Sequence, residues 1–178
     1  MYVDGIDRVK AIGYSVQAIV ADGRQGIYNA FKNTPVQLCQ FHQVKTDTKY
    51  LTKNPKLEAS MELRNLSLQL KNSDKAGFVR ALNEWYAKWE KTINQRTTFV
   101  EDGKVRSSYT HINLRKAYRS PHTNIPHLFI FKECMKFGIP NTTNRLDGHF
   151  SDLKNKLRNH NGMSRRRKMK MMLEHFNS

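Results

Sequence analysis

Apolar residues change their spacing twice along this chain. Near the start, Ile6, Val9 and Ile12 recur on one side of the segment from Asp4 to Tyr14, which predicts a short helix with Gly13 as its C-cap. From Val16 to Ala21 the apolar residues then run almost unbroken, as in a strand buried on both faces of a parallel sheet. Asp22-Gly23 ends that strand. Ile27, Ala30 and Phe31 predict a helix from Arg24 to Asn33, Pro35 breaks it, and Val36 to Cys39 predicts a second strand. The crossover from Gly23 to Pro35 has about the dozen residues that a parallel βαβ unit requires.

After His42 the spacing becomes helical. Pro55 is expected in a first helical turn, followed by a helix from Lys56 to Leu70. Asp74 is placed to cap the next helix, whose Phe78, Leu82, Trp85, Tyr86, Trp89 and Ile93 form an apolar stripe read as core. Glu101 to Lys104 predicts a turn and Leu114 to Arg119 a helix. Pro121 and Pro126 are expected to bracket a loop, and Leu128 to Phe131 is too short to type. Two basic helices close the chain. In the first, Leu146, Phe150, Leu153 and Leu157 form one stripe, and Asp147, Ser151, Lys154 and Arg158 form the next. In the second, Ser164 is the expected N-cap and Met169, Met172, Leu173 and Phe176 the expected inward face. The expected fold class is therefore α/β but helix-rich overall. Pieces of a sheet occupy residues 1–42, an all-helical region residues 43–138, and C-terminal helices returning to the core residues 139–178.

Charge narrows the partner. Of 178 residues, 31 are Lys or Arg and 15 are Asp or Glu, a formal net charge of +16. A domain this basic meets a polyanion, since each phosphate it neutralises releases counterions. No apolar run approaches the ~20 residues that span a bilayer, and residues 1–10 lack a signal-peptide pattern. Two cysteines, Cys39 and Cys134, make no disulfide framework. The expectation is a protein of the cytoplasm with no membrane partner.

Four places carry candidate chemistry. Asp22 sits at the carboxyl end of the first strand, where α/β sheets collect ligands; it is either a metal-facing acid or an ordinary Asp-Gly turn residue. Asp147, with Asn144 taken as N-cap, falls in the first turn of its helix, where an acid also favours the helix dipole without any catalysis. In line with it, Lys154 and Arg158 can follow a phosphate strand. Cys39 and His42 have a spacing that suits zinc, but a zinc site needs four ligands and no others stand at recognisable spacing; the alternative is a buried Cys and a locally bonded His. Arg165, Arg166, Arg167 and Lys168 crowd a helix N-terminus against its dipole, which suggests an anionic partner.

Three of these segments, in order, resemble motifs of bacterial insertion-sequence transposases of the Mutator-like group. Ile19-Val20-Ala21-Asp22-Gly23-Arg24-Gln25-Gly26 looks like the family's second acidic motif, and Pro35-Val36-Gln37-Leu38-Cys39-Gln40-Phe41-His42 like the Cys-x-x-His segment after it. Asn141-Thr142-Thr143-Asn144-Arg145-Leu146-Asp147 looks like the third acidic motif, Thr-Thr-Asn-x-x-Glu, with Asp for Glu. The resemblance implies an RNase H-like catalytic domain interrupted by a helical insertion, with a DDE or DDD triad holding Mg²⁺ or Mn²⁺. Asp22 and Asp147 would be its second and third members. It implies DNA as partner, both terminal repeats and target, a bacterial nucleoid-associated location, and a homo-oligomer in the full-length form. The family's first Asp lies on an earlier strand that has no counterpart here; Asp4 and Asp7 fall in a helix. The expectation is thus a partial domain with an exposed sheet edge, an N-terminally truncated copy that does not cut or join DNA by itself. The alternative is a non-catalytic basic nucleic-acid-binding protein.

Overall fold

The structure, a computed structural model, describes residues 2–23 and 25–177. It is helix-rich with two small sheets, and it divides into two compact units, Met1–Thr142 and Thr143–Ser178.

The first unit opens with α1 (Tyr2–Ala11), β1 (Ile19–Ala21), α2 (Gln25–Ala30) and β2 (Val36–Leu38). β1 and β2 pair in parallel, Ile19 opposite Val36 and Ala21 opposite Leu38. The ladder is closed at its ends by Ile19 N–H donating to Pro35 O (2.9 Å) and Cys39 N–H to Ala21 O (2.7 Å). The strands are shorter than the apolar runs suggest, and the expected strand start at Val16 is not part of the ladder. Arg24, the expected start of the following helix, lies outside the described residues. β1 pairs with β2 alone, and among the described residues no strand covers its other edge.

The helical section contains α3 (Gln40–Leu51), α4 (Glu58–Gln69), α5 (Lys75–Asn94) and α6 (Ile112–Leu128), with a short α7 (Ile130–Glu133) after it. Pro55 stays outside α4, whose N-cap is Leu57. Asp74 caps α5 as expected, its carboxylate accepting from Gly77 N–H at 2.7 Å. Phe78, Leu82, Trp85 and Ile93 of α5 are buried with Leu63, Leu114 and Leu128. Leu38 of β2 belongs to the same cluster, so the sheet and the helices share one core. A smaller cluster of Ala21, Ile27 and Val36 lies between β1, β2 and α2.

Two features depart from expectation. Residues 96–109 form an antiparallel hairpin, β3 (Arg96–Glu101) and β4 (Lys104–Tyr109), where the chain predicted only a turn. Asp102 and Gly103 both take positive φ, 51° and 69°, as the tight turn of a two-residue hairpin requires. Secondly, α6 runs through Pro121 and Pro126 instead of stopping at them. Each proline removes one helical hydrogen bond and crowds the preceding turn, so something outside the helix must hold it.

Part of that hold comes from β2. Leu128 O, an orphan carbonyl at the end of α6, accepts from Gln37 Nε2 and from Gln40 Nε2, both at 3.0 Å. Gln37 Oε1 also accepts from Phe131 N–H at 2.9 Å, in the first turn of α7. One strand side chain thereby caps the end of one helix and the start of the next.

In the second unit, α8 (Asn144–Asn159) and α9 (Arg165–Asn177) are joined by His175. Its Nε2 lies 3.1 Å from His149 O, and its Nδ1 lies 3.8 Å from Asp152 Oδ2. Leu153 is buried, but Leu146 and Phe150 of the expected inward stripe are exposed, as are Met169 and Leu173 of α9. The side chain of Phe176 lies outside the described residues. No helix among the described residues is long and apolar enough to cross a membrane.

Replacing Gln37 with Leu keeps the volume but leaves Phe131 N–H without its acceptor. The expected loss of stability is about 1–3 kcal/mol in urea unfolding. A Gln37→Leu protein as stable as wild type would remove this cap from the account of α6 and α7.

Candidate functional site

Asp22 follows β1 directly, and its neighbour Gly23 has φ of 96°. A β-carbon on Gly23 would come within 3.0 Å of Leu38 Cδ1, so both the conformation and the space demand glycine. The turn aims Asp22 into a polar cleft of about 460 Å³. Its wall carries His42 and Gln43 from α3, and Ser120, Thr123 and Asn124 from α6. Asp22 and His42, expected separately as site residues, therefore face the same space.

Cys39 does not join them there. It is fully buried at the N-terminus of α3, while His42 is half-buried on the cleft wall. Cys39 and Cys134 are not disulfide-bonded. Among the described residues no group of three His, Cys, Asp or Glu side chains is arranged to hold a metal ion. Zinc on Cys39 and His42 is not supported by that geometry. For Mg²⁺, which favours several oxygen ligands including carboxylates, the cleft of the first unit offers Asp22 as its one carboxylate, so it does not fit a two-ion centre by itself.

The motif segments are laid side by side at the carboxyl end of the sheet. Ala21 O, just before Asp22, accepts from Cys39 N–H at 2.7 Å. The next residue, Gln40, donates its N–H to Asn141 O at 2.9 Å, and Asn141 Nδ2 donates to Gln40 Oε1 at 3.1 Å. Gln40 and Asn141 are 101 residues apart in sequence. The pairing of their backbones and side chains brings the segment that leads to Asp147 back to the strand ends.

Asp147 itself lies on α8, in the second unit. Thr143, not Asn144, is the N-cap, so Asp147 falls one position later than the sequence suggests. The Thr143 hydroxyl donates to Asp147 Oδ2 at 2.9 Å, and Asp147 N–H donates to Thr143 O at 2.8 Å. Lys154 and Arg158 are exposed on the same helix. Arg165, Arg166 and Arg167 are exposed at the start of α9 and Lys168 is half-buried there; Ser164 Oγ accepts from Arg167 N–H at 3.4 Å, a long capping contact.

Sequence reasoning missed the polar network behind the cleft. The buried face of α3 is Gln40, Gln43, Asp47 and Leu51. Gln43 Nε2 donates to Asp47 Oδ1 at 2.8 Å and to Ser120 Oγ at 2.9 Å, and Gln43 Oε1 accepts from Asn124 at 2.8 Å. Ser67 of α4 donates to Asp47 Oδ2 at 2.6 Å. Burial pushes the Asp47 carboxyl up to about 7, although the hydrogen bonds from Ser67 and Gln43 pull it down. On the other side of Asp22, the Tyr28 hydroxyl is buried without a hydrogen-bond partner. Burial first, and the Asp22 charge second, raise its phenol above the ordinary value. The Tyr28 ring stacks on His127 at 4.1 Å, and His127 Nδ1 lies 3.3 Å from Val36 O. The signal available in the sequence was a pair of amides, Gln37 and Gln40, inside an otherwise apolar run.

No family model, no curated protein sequence and no solved structure matches this chain. Function rests on the geometry alone.

The Asp47 carboxyl gives a pH dependence with a definite sign. Its folded-state value lies above the ordinary 3.8, so the folded protein holds this proton more tightly than the unfolded chain. The stabilisation is complete below the unfolded value and is lost as pH rises through about 7, by roughly 4 kcal/mol in all. The expected result is a wild-type Tm that falls between about pH 4 and about pH 7, and an Asp47→Asn Tm that is nearly flat over that window. An equal fall in both proteins would assign the slope to another group.

Proposed function

We propose that this protein handles DNA as a transposase of the Mutator-like type, on an RNase H-like core, with Asp22 and Asp147 as two of the carboxylates of its catalytic centre. The observation that carries this reading is the convergence of three motif segments. Residues around Asp22, Cys39-Gln40 and Asn141 are hydrogen-bonded neighbours at the carboxyl end of a parallel strand pair, where α/β sheets collect ligands. A helical section enclosed between Gln40 and Asn141 leaves the sheet and comes back to it. A basic protein that only coats nucleic acid has no need for such a return.

The net charge of +16 supplies the attraction for a phosphate backbone. The exposed cations of α8 and α9 can position DNA without reading its sequence. A pair of divalent ions held in such a centre would supply activation of the attacking hydroxyl and stabilisation of the leaving oxygen. Asp22 and Asp147 are acids of the right kind for that pair, but a third carboxylate is required. The residues of this chain that act on their own are therefore those that bind and orient the strand.

The Thr143 hydroxyl bond to Asp147 favours a second reading, in which Asp147 only stabilises the start of α8 and the protein is a non-catalytic DNA binder. Strand-transfer assays on terminal-repeat DNA separate the outcomes. With Mg²⁺ or Mn²⁺, this polypeptide by itself is expected neither to cut nor to join DNA. Addition of a polypeptide that supplies the third acid is expected to restore activity that Asp22→Ala and Asp147→Ala each abolish. Restored activity indifferent to both substitutions would refute the assignment of the two acids.

Binding can be measured without chemistry. Replacing Arg165, Arg166, Arg167 and Lys168 with Gln is expected to weaken DNA binding uniformly across sequences and to flatten its salt dependence, by about 0.7–0.9 in the log–log slope for each phosphate no longer neutralised. A slope equal to that of wild type removes the start of α9 from the interface.

A further inference from the structure

A second hollow, of about 440 Å³, opens beside the Asp22 cleft and shares Thr123 with it. Arg115, Arg119 and His122 line it from α6. With Thr123 they follow the i, i+4, i+7, i+8 spacing of one helix face. The two hollows adjoin at Thr123, a path along α6 with Arg115 and Arg119 lining one end and Asp22 lining the other.

Arg115 of this path, and Arg96 beside it, are held by neutral partners. Arg115 Nη1 donates to Asn94 Oδ1 at 2.7 Å, and its guanidinium lies 4.0 Å from the centre of the Tyr109 ring. Arg96, at the base of the hairpin, lies 4.6 Å from the same ring centre and donates to the Ser107 hydroxyl and carbonyl at 2.9 and 3.1 Å. Arg119 is exposed. Among the described residues none of the three makes an ion pair, whereas Lys75, Lys88 and Lys156 elsewhere on the surface do. Two guanidiniums sharing one ring repel each other, and an anion between or above them removes that cost. Amide, hydroxyl and ring contacts fix the direction of Arg96 and Arg115 without neutralising them, which leaves their forks ready for phosphate oxygens.

We propose that this path is the groove in which the phosphodiester backbone of a DNA strand lies: Arg115 and Arg119 hold successive phosphates, and Thr123 marks the entry to the Asp22 cleft. The groove rests on the DNA-handling reading above. It adds a strand direction, from the hairpin base toward Asp22, and an anchor in the first unit that does not depend on the cations of α8 and α9.

The test is fluorescence anisotropy of a labelled DNA oligonucleotide with the full chain, across a range of salt. Arg115→Gln/Arg119→Gln is expected to bind more weakly, with a log–log salt slope shallower by about 0.7–0.9 for each phosphate that the groove no longer neutralises. Lys116→Gln removes one charge from α6 outside the groove, matching Arg119→Gln alone, and is expected to leave the slope close to that of wild type. Arg119→Gln alone serves if the double variant, which also gives up the bonds to Asn94 and Tyr109, unfolds early. Arginine variants that bind like wild type, or a Lys116→Gln deficit as large as theirs, overturn the groove. If wild type binds and only the α9 variant is weakened, the groove fails and the DNA-handling reading stands. If wild type binds no DNA at low salt, both fall.

Discussion

Two glutamine side chains bond together parts of this chain that also share an apolar core. Gln37 and Gln40 flank the end of β2, and both amides reach the last carbonyl of α6. Gln37 also accepts from the start of α7, and Gln40 pairs with Asn141. A helix end has several unpaired backbone groups, and here one of them, Leu128 O, is satisfied by Gln37 of β2 and Gln40 at the start of α3. The strand pair, the proline-containing α6 and the segment leading to α8 therefore share one set of hydrogen bonds. A buried amide that loses its partner costs more than an ordinary hydrogen bond gains, so this junction tolerates little rearrangement. Asp22 lies one ladder position from it, which ties the position of the acid to the integrity of the clamp.

The same economy of polar groups explains α3. Its buried face carries Gln40, Gln43 and Asp47 before it reaches Leu51. Every acceptor and donor of Gln43 has a partner, and both oxygens of Asp47 do. Such a network binds three helices in one register only, because a shift of any helix would strand several buried groups at once. It also forms the back wall of the Asp22 cleft through Gln43, Ser120 and Asn124. The cleft is thus lined by side chains whose rotamers are already fixed by bonds to one another.

What the sequence disclosed follows from which signals were apolar. The parallel strand pair, the α5 stripe and its Asp74 cap were legible because an unbroken run and a 3.6-residue period are direct consequences of burial. The α3 interior was not, because its buried face is polar and periodicity rules look for apolar residues. The hairpin of residues 96–109 was visible in principle, with Asp102-Gly103 flanked one residue further out by Val100 and Val105, but its strands have little apolar contrast, since nearly every residue in them is exposed. The prolines of α6 pointed the wrong way: the helix runs through both, with Pro121 fully buried against the core, so tertiary packing overruled local propensity. Asp22 and His42 meeting in one cleft follows the strand-end placement, whereas the exposed Leu146, Phe150, Met169 and Leu173 show that apolar spacing on a helix does not by itself establish a buried face.

The net charge of +16 suits a polyanionic partner, and on the proposed reading the distribution of ion pairs marks where on the first unit it would be met. Glu62 neutralises Lys88 between α4 and α5, and Glu133 neutralises Lys75, both on surfaces away from the cleft lining. Arg115 of α6 has an amide and a tyrosine ring for company instead, and Arg96 at the hairpin base has a hydroxyl, a carbonyl and the same ring. Exposed ion pairs are worth little to the fold, so their absence around Arg96, Arg115 and Arg119 costs the protein almost nothing in stability. It leaves full positive charge on a path that ends at a carboxylate. On the proposed reading, a phosphate strand along that path would be attracted for most of its length and repelled at the end by the Asp22 carboxylate.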